Sequence, residues 1–525
     1  MPPLRRFSLG LLVGVLLPSC SHLAAQRQAR QRPAIERAAA AWQSIASGIR
    51  TSQVVADYDL AVAQVVEELS SQRTPDHWPA TFTLAQGRTL KVDPGSLRNH
   101  QAWPPTLFDA LHHRRNASSS PVTQALRPGL GAPLDGVREH HVSDADARFV
   151  YSKGQHLPVT ALIEFGPSPA VATLHLYDPR EVRAVRVGRQ RMALAADFAL
   201  PVEPVLERRF FLVSMLTGLF RPERFQINQG LYLQEPYRPD KVPVVFVHGL
   251  MSDPHIWENE VLSLMSDPEI GPRVQCWWFT YPTGLPVAMS ALRLRTSMAA
   301  ARRTFDPRGR DPGLKRTLMV GHSMGGLLTR MQVQDSGEDY WHAWFRAEPE
   351  DLPLDGETSH LLHDALIFKA DRSIKNVVFI ATPHRGSNLA SSWLAVLGSK
   401  LIQAPSQIVQ LATSVATLDV ELLNPERRSF ASFGLNSIGS LSPGHPLFTA
   451  LNARPMTAPC HSIIGNLGSS RPLWHTTDGA VPYASSHLDQ ARSETILPCW
   501  HGCVEHLECA QEVTRLVREH LHDRN

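Results

Sequence analysis

A chain of 525 residues is longer than one ordinary domain, so a few domains are expected. Its 52 Lys and Arg nearly balance 49 Asp and Glu, and a net charge of +3 on this length excludes a strongly basic nucleic-acid binder. With 43% hydrophobic residues, among them 11 Trp and 19 Phe, the composition is globular and excludes a largely disordered chain.

The first 20 residues read as an export signal. Arg5 and Arg6 precede an apolar run from Phe7 to Leu17, shorter than the roughly 20 residues a membrane-spanning helix needs. The run ends in Leu17-Pro18-Ser19-Cys20. That ending resembles the bacterial lipobox, in which the Cys becomes the lipidated mature N-terminus. The resemblance implies lipidation at Cys20 and anchoring to a membrane of the bacterial cell envelope. Residues 21–32 follow as a polar tether.

Residues 33–75 repeat apolar positions at helical spacing, with Pro33 suited to a first helical turn. Residues 76–234 change character. Short β-like runs (Thr81–Leu84, Pro158–Glu164, Val171–Tyr177, Arg183–Val187) alternate with Pro, Gly and Asp, and a β-rich accessory domain is expected. From 235 to 525 apolar runs alternate with helical stretches: Val242–Val247, Val274–Phe279, Thr317–Val320, Asn376–Ile380, Ser462–Ile464 and Glu494–Leu497. This grammar predicts a mostly parallel sheet with helices on both faces, and chemistry just beyond the strand ends.

Two strand ends carry the strongest signals. Leu318-Met319-Val320 runs into Gly321-His322-Ser323-Met324-Gly325, the G-x-S-x-G pattern between a strand and a helix. A sharp turn there exposes the Ser323 hydroxyl and leaves no room for side chains at Gly321 and Gly325. His322 reads as packing in that turn, since adjacent residues point apart. The backbone N–H of Met324 then faces a developing oxyanion. A second donor is expected after Val244–Val247, in His248-Gly249-Leu250, with Leu250 preferred over Met251.

With Tyr281–Gly284, Ala381-Thr382-Pro383-His384-Arg385-Gly386-Ser387 and Asp478–Pro482, these segments resemble the α/β-hydrolase superfamily, in its lipase and esterase-like branch. The resemblance covers about residues 235 to 525. It implies an α/β-hydrolase sheet and a chain order of Ser, acid, His. Asp478, in the Asp-Gly turn after a late strand, is the expected acid, ahead of Asp419 and Asp489. His501, just past the last strand, is the expected base, ahead of His506. The activity implied is hydrolysis of a carboxylic ester, with thioesterase, amidase, acyltransferase or a non-catalytic binding protein as alternatives. No metal or organic cofactor is expected, and the partner expected is a small-molecule ester or lipid.

Cys499, His501, Cys503, His506 and Cys509 lie close in sequence. Their spacing is not that of a common zinc finger, so a local disulfide such as Cys499–Cys503 is expected before structural zinc. A cap insert is expected at about 387–455, with apolar residues including Trp393 and Leu394. A second insert at 336–373, with Trp341, Trp344 and Phe345, is expected to border the mouth of the site.

Overall fold

The computed structural model describes residues 33–72, 78, 80–83, 89–95, 101–113, 122, 125–166, 171–206, 229–387, 410–411, 413–415, 417–424, 437–468 and 472–523. The export signal with Cys20, the tether, and most of the expected cap, including Trp393 and Leu394, lie outside these residues. The chain divides into two compact units. One comprises residues 1–113, 127–134 and 159–196, and the other residues 114–126, 135–158 and 197–525.

In the first unit, helix α1 (Ala34–Ser47) buries Ile35, Ala38, Ala39, Trp42 and Ile45, which recur three and four residues apart on one face. Pro33 stands at its N-cap rather than in its first turn. Gly48 ends the helix in the left-handed conformation, with φ 105°, which returns its N–H to Ile45 O. Helix α2 (Ser52–Gln72) follows. Its Tyr58 hydroxyl donates to Ile163 O at 2.7 Å and accepts from Ile163 N at 2.9 Å, clamping the helix onto a strand. The β-like runs form β1 (Thr81–Thr83), β3 (Gln155–Phe165, in this unit from Val159 on) and β4 (Val171–Tyr177), while β2 (Thr89–Val92) is not one of them. Strand β2 pairs with β1 antiparallel and β4 parallel, and β4 pairs antiparallel with Thr160–Phe165 of β3. A separate hairpin joins β5 (Ala184–Val187) to β6 (Gln190–Ala193).

The second unit is built on a seven-stranded sheet. Its strands are β7 (Gly230–Leu233), β8 (Val242–Val247), β9 (Val274–Thr280), β10 (Thr317–His322), β11 (Ile374–Ile380), β12 (Cys460–Gly465) and β13 (Ser493–Leu497), in spatial order β7-β9-β8-β10-β11-β12-β13. Strand β7 is antiparallel to β9, and the other neighbours are parallel. The sheet is therefore mixed, with parallel pairing dominant. Pattern reading missed β7 because it has only four residues and sits at an edge, where no long apolar run is needed.

The central strands read as continuous apolar runs because both faces are covered. Every residue of β8, β9 and β10 is buried. Helices α3 (Glu258–Ser266), α4 (Val287–Phe305), α5 (Met324–Arg330) and α6 (Gly356–Leu366) follow these strands, α7 (Pro446–Ala453) precedes β12, and α8 (Leu507–His522) ends the chain. Strand β8 is flanked by β9 on one side and β10 on the other. The chain order reverses there, and ligands of such sheets bind in the crevice beyond the carboxyl ends at that switch. The residues that follow β8 and β10 are His248-Gly249-Leu250 and Ser323.

Candidate active site

Ser323 occupies a backbone position that few residues with a side chain adopt, with φ 54° and ψ −124°. Such a conformation costs on the order of 1–3 kcal/mol and persists only where surrounding structure imposes it. Here the Ser323 N–H donates to Ile380 O at 2.8 Å, which ties the turn to the end of β11. The turn also requires close approach. A Cβ on Gly325 would fall against the main-chain carbonyls of Val247 and His248, and one on Gly249 would come 2.9 Å from Ser323 Cβ.

The structure brings Ser323, His501 and Asp478 into one hydrogen-bonded line. The Ser323 hydroxyl lies 2.8 Å from His501 Nε2, and His501 Nδ1 lies 2.7 Å from Asp478 Oδ2. Asp478 is 1% exposed. Its other oxygen accepts from the N–H groups of Ala480 at 2.8 Å and Val481 at 2.6 Å. The Asp-Gly turn thus uses one carboxylate oxygen to hold itself and leaves the second for the imidazole. His501 is fixed through its main chain as well, since its N–H donates to Asp478 O at 2.9 Å. The rivals sit elsewhere. His506 is the N-cap residue of α8, Asp419 is exposed, and exposed Asp489 lies 3.1 Å from His487 Nε2.

Met324 is the first residue of α5, so its N–H has no acceptor within the helix. Leu250 lines the same cavity as Ser323. The next N–H, of Met251, is directed to Thr283 Oγ1 at 3.4 Å. This places Thr283, within the Tyr281–Gly284 segment, as a support for the strap after β8. His248 backs that strap. Its carbonyl accepts from the Tyr281 hydroxyl at 2.8 Å, and its ring stacks on Tyr281.

Burial holds the His248 pKa down at about 4. A base whose pKa is lowered by folding binds protons more readily when unfolded. Its contribution to stability is therefore complete above about pH 6.5 and is lost as pH falls toward 4. In His248→Phe, the decline of unfolding free energy across that window becomes shallower by up to about 1.4 kcal/mol per pH unit. Urea denaturation of both proteins from pH 7 to 4 measures this, and equal slopes would show that His248 protonates alike in both states.

The segment Ala381–Ser387 proves to be a clamp on the loop that carries Asp478, a role its sequence did not reveal. Ser387 Oγ donates to Ala480 O at 2.6 Å, and Ser485 Oγ donates to Gly386 O at 2.6 Å. The Arg385 N–H donates to Ser485 Oγ at 3.1 Å. His384 is fully buried and accepts from Arg330 Nη1 at 3.2 Å. Burial, then the Arg330 charge, pushes its pKa well down and keeps it neutral.

A cavity of about 510 Å³ opens on Ser323 and His501. Leu250, Ile256, Pro383, Leu441, Val481 and Trp500 give it an apolar wall. The second insert does not reach it: Trp341 and Phe345 are buried in the core of this unit and Trp344 packs against that core. The expected Cys499–Cys503 disulfide is also absent. Cys276, Cys460, Cys499, Cys503 and Cys509 are all buried free thiols. Among the described residues, no group of three or more His, Cys, Asp and Glu is placed to hold a metal ion.

No protein-family model and no curated protein matches this chain. Among solved structures, it is similar to a lipase of Bacillus licheniformis in its mature form, at 17% identity and a TM-score of 0.32, covering 55% of this chain and 97% of that one. A lipase-esterase related protein from Clostridium acetobutylicum aligns at 12% identity and a TM-score of 0.29, over 55% and 98% of the two chains. EstA from Clostridium botulinum aligns at 13% identity and a TM-score of 0.31, over 53% and 88%.

Proposed function

We propose that this protein is a serine ester hydrolase on an α/β-hydrolase scaffold, acting on esters with an apolar acyl group. The observation that carries the reading is the Ser323–His501–Asp478 line, with distances of 2.8 and 2.7 Å, at a strained strand-to-helix turn. The apolar cavity beside it supports the substrate class. The reaction follows from these groups. Ser323 Oγ attacks the acyl carbonyl as its proton passes to His501 Nε2. Asp478 stabilises the imidazolium, and the N–H groups of Met324 and Leu250 receive the oxyanion. Collapse expels the alcohol, which takes the proton from His501. Water then attacks the acyl-enzyme by the same route in reverse, releasing the acid and restoring Ser323.

A fluorophosphonate probe is expected to label wild type and to leave Ser323→Ala unlabelled. Equal labelling of both would remove Ser323 from the nucleophile role. With p-nitrophenyl esters of increasing chain length, kcat/KM is expected to rise above that for acetate. A strong preference for acetate would overturn the apolar-acyl part of the reading.

The proposal includes export and a lipid anchor on Cys20, resting on the first 20 residues of the sequence. Among the described residues, no helix is long and apolar enough to cross a membrane. Cells expressing the full chain with radiolabelled palmitate are expected to label the wild type but not Cys20→Ser. Wild-type protein without label would remove the anchor from the proposal.

A further inference from the structure

His322 ends β10 and immediately precedes the nucleophile. Its ring is buried, and its Nε2 lies 3.0 Å from the main-chain oxygen of His501. A carbonyl oxygen only accepts, so Nε2 carries the proton and donates. Burial, with the nearby His501 as the second cause, pushes the His322 pKa down to about 3. The ring therefore stays neutral, with its single proton committed to this bond. Its Nδ1 is buried and, among the described residues, has no hydrogen-bond partner. The space beside it is closed by the strap after β8, where a Cβ on Gly249 would lie 3.1 Å from that nitrogen.

The two sides of the His501 main chain are thus tied to two different elements. Its N–H is held by Asp478 O at 2.9 Å and its C=O by His322 Nε2 at 3.0 Å. The residue that follows is Gly502, whose backbone is the least restricted of any residue type, so the loop gains its rigidity from outside partners. We infer that His322 is a positioning residue for the base, its Nε2–H holding the His501 peptide so that the imidazole spans Asp478 and Ser323. The role rests on the serine-hydrolase reading. It also explains why a ring with a donor, rather than any filler, stands at this position of the turn.

The test compares His322→Phe, which keeps an aromatic ring of similar size but has no donor, with His322→Gln, which keeps a donor without the ring. In His322→Phe, kcat and the rate of fluorophosphonate labelling are expected to fall together by roughly 10- to 100-fold with KM unchanged, the penalty of a slightly displaced catalytic group. His322→Gln recovers most of that loss. An independent readout is the far-downfield proton resonance of His501 Nδ1–H, identified by its disappearance in Asp478→Ala. It is expected to be lost or broadened in the Phe variant and to remain in the Gln variant. Wild-type rates with an unchanged resonance in His322→Phe would overturn the inference. So would a Gln variant as slow as the Phe variant, because restoring a donor would then not restore the rate. If wild type were not labelled while the resonance still depended on His322, the hydrolase reading and with it the positioning of a base would fall, and only the anchoring of the His501 peptide by His322 would stand.

Discussion

Replacing Asp478 with Asn is expected to lower kcat/KM by roughly 10,000-fold while leaving the fold and KM close to wild type, as the loss of correct imidazole orientation does in a Ser-His-Asp triad. The size of the effect follows from a conflict over one oxygen. In the wild type, Asp478 Oδ1 accepts from the Ala480 and Val481 N–H groups, and Oδ2 accepts from His501 Nδ1. An asparagine has a single acceptor oxygen. The turn offers two donors and the imidazole one, so the amide oxygen goes to the turn and the NH₂ faces His501. His501 must then accept at Nδ1 and carry its proton on Nε2, where it can no longer take the proton of Ser323. Steady-state kinetics with a chromogenic ester, alongside the fluorophosphonate labelling rate, measure the loss. A variant within tenfold of wild type would show that Asp478 does not set the tautomer of the base.

Gly325→Ala is expected to destabilise the protein by roughly 3 kcal/mol, with activity lost in parallel. The added methyl would meet the main-chain carbonyls of Val247 and His248, and its nearest carbonyl carbon would be 2.7 Å away. Those carbonyls end β8, whose neighbours β9 and β10 are paired with it on both sides. Neither can swing aside as a flexible side chain would. Relief requires α5 to retreat from the sheet, which carries the Met324 N–H away from the oxyanion position proposed above. Gly356→Ala is the matched control. It also lies in a helix, but nothing is within 4 Å of its added methyl, and it is expected to be neutral or stabilising by about 0.5–1 kcal/mol. Urea denaturation separates the two. A Gly325→Ala protein with a wild-type midpoint would mean that the strand end yields more readily than its pairing implies.

What could be read in the sequence was what depends on near neighbours. Five strands of the large sheet announce themselves as largely apolar runs because burial on both faces removes the need for alternation. The turn at Ser323 is legible because its strain and crowding are met within five residues by Gly321 and Gly325. The Asp-Gly at 478–479 is legible as a turn for the same reason. The edge strand β7 left no such trace, and neither did the interleaved limits of the two compact units, since both depend on partners distant in sequence.

Sequence by itself thus determined the turn at Ser323, the strand grammar around it and a short set of acid and base candidates. It ranked Asp478 and His501 first among them, but their meeting with Ser323 is a matter of tertiary structure. His501 and His506 are five residues apart and carry similar local signals. The pairing of β11, β12 and β13 brings His501, in the loop after β13, to a serine 178 positions earlier in the chain. The same holds for His322, whose neighbours mark only a tight turn. Its bond to the His501 carbonyl exists because β10 ends where the loop carrying His501 passes. Hydrogen-bond geometry between distant segments is a property of strand register and layer packing, and only the tertiary structure supplies it.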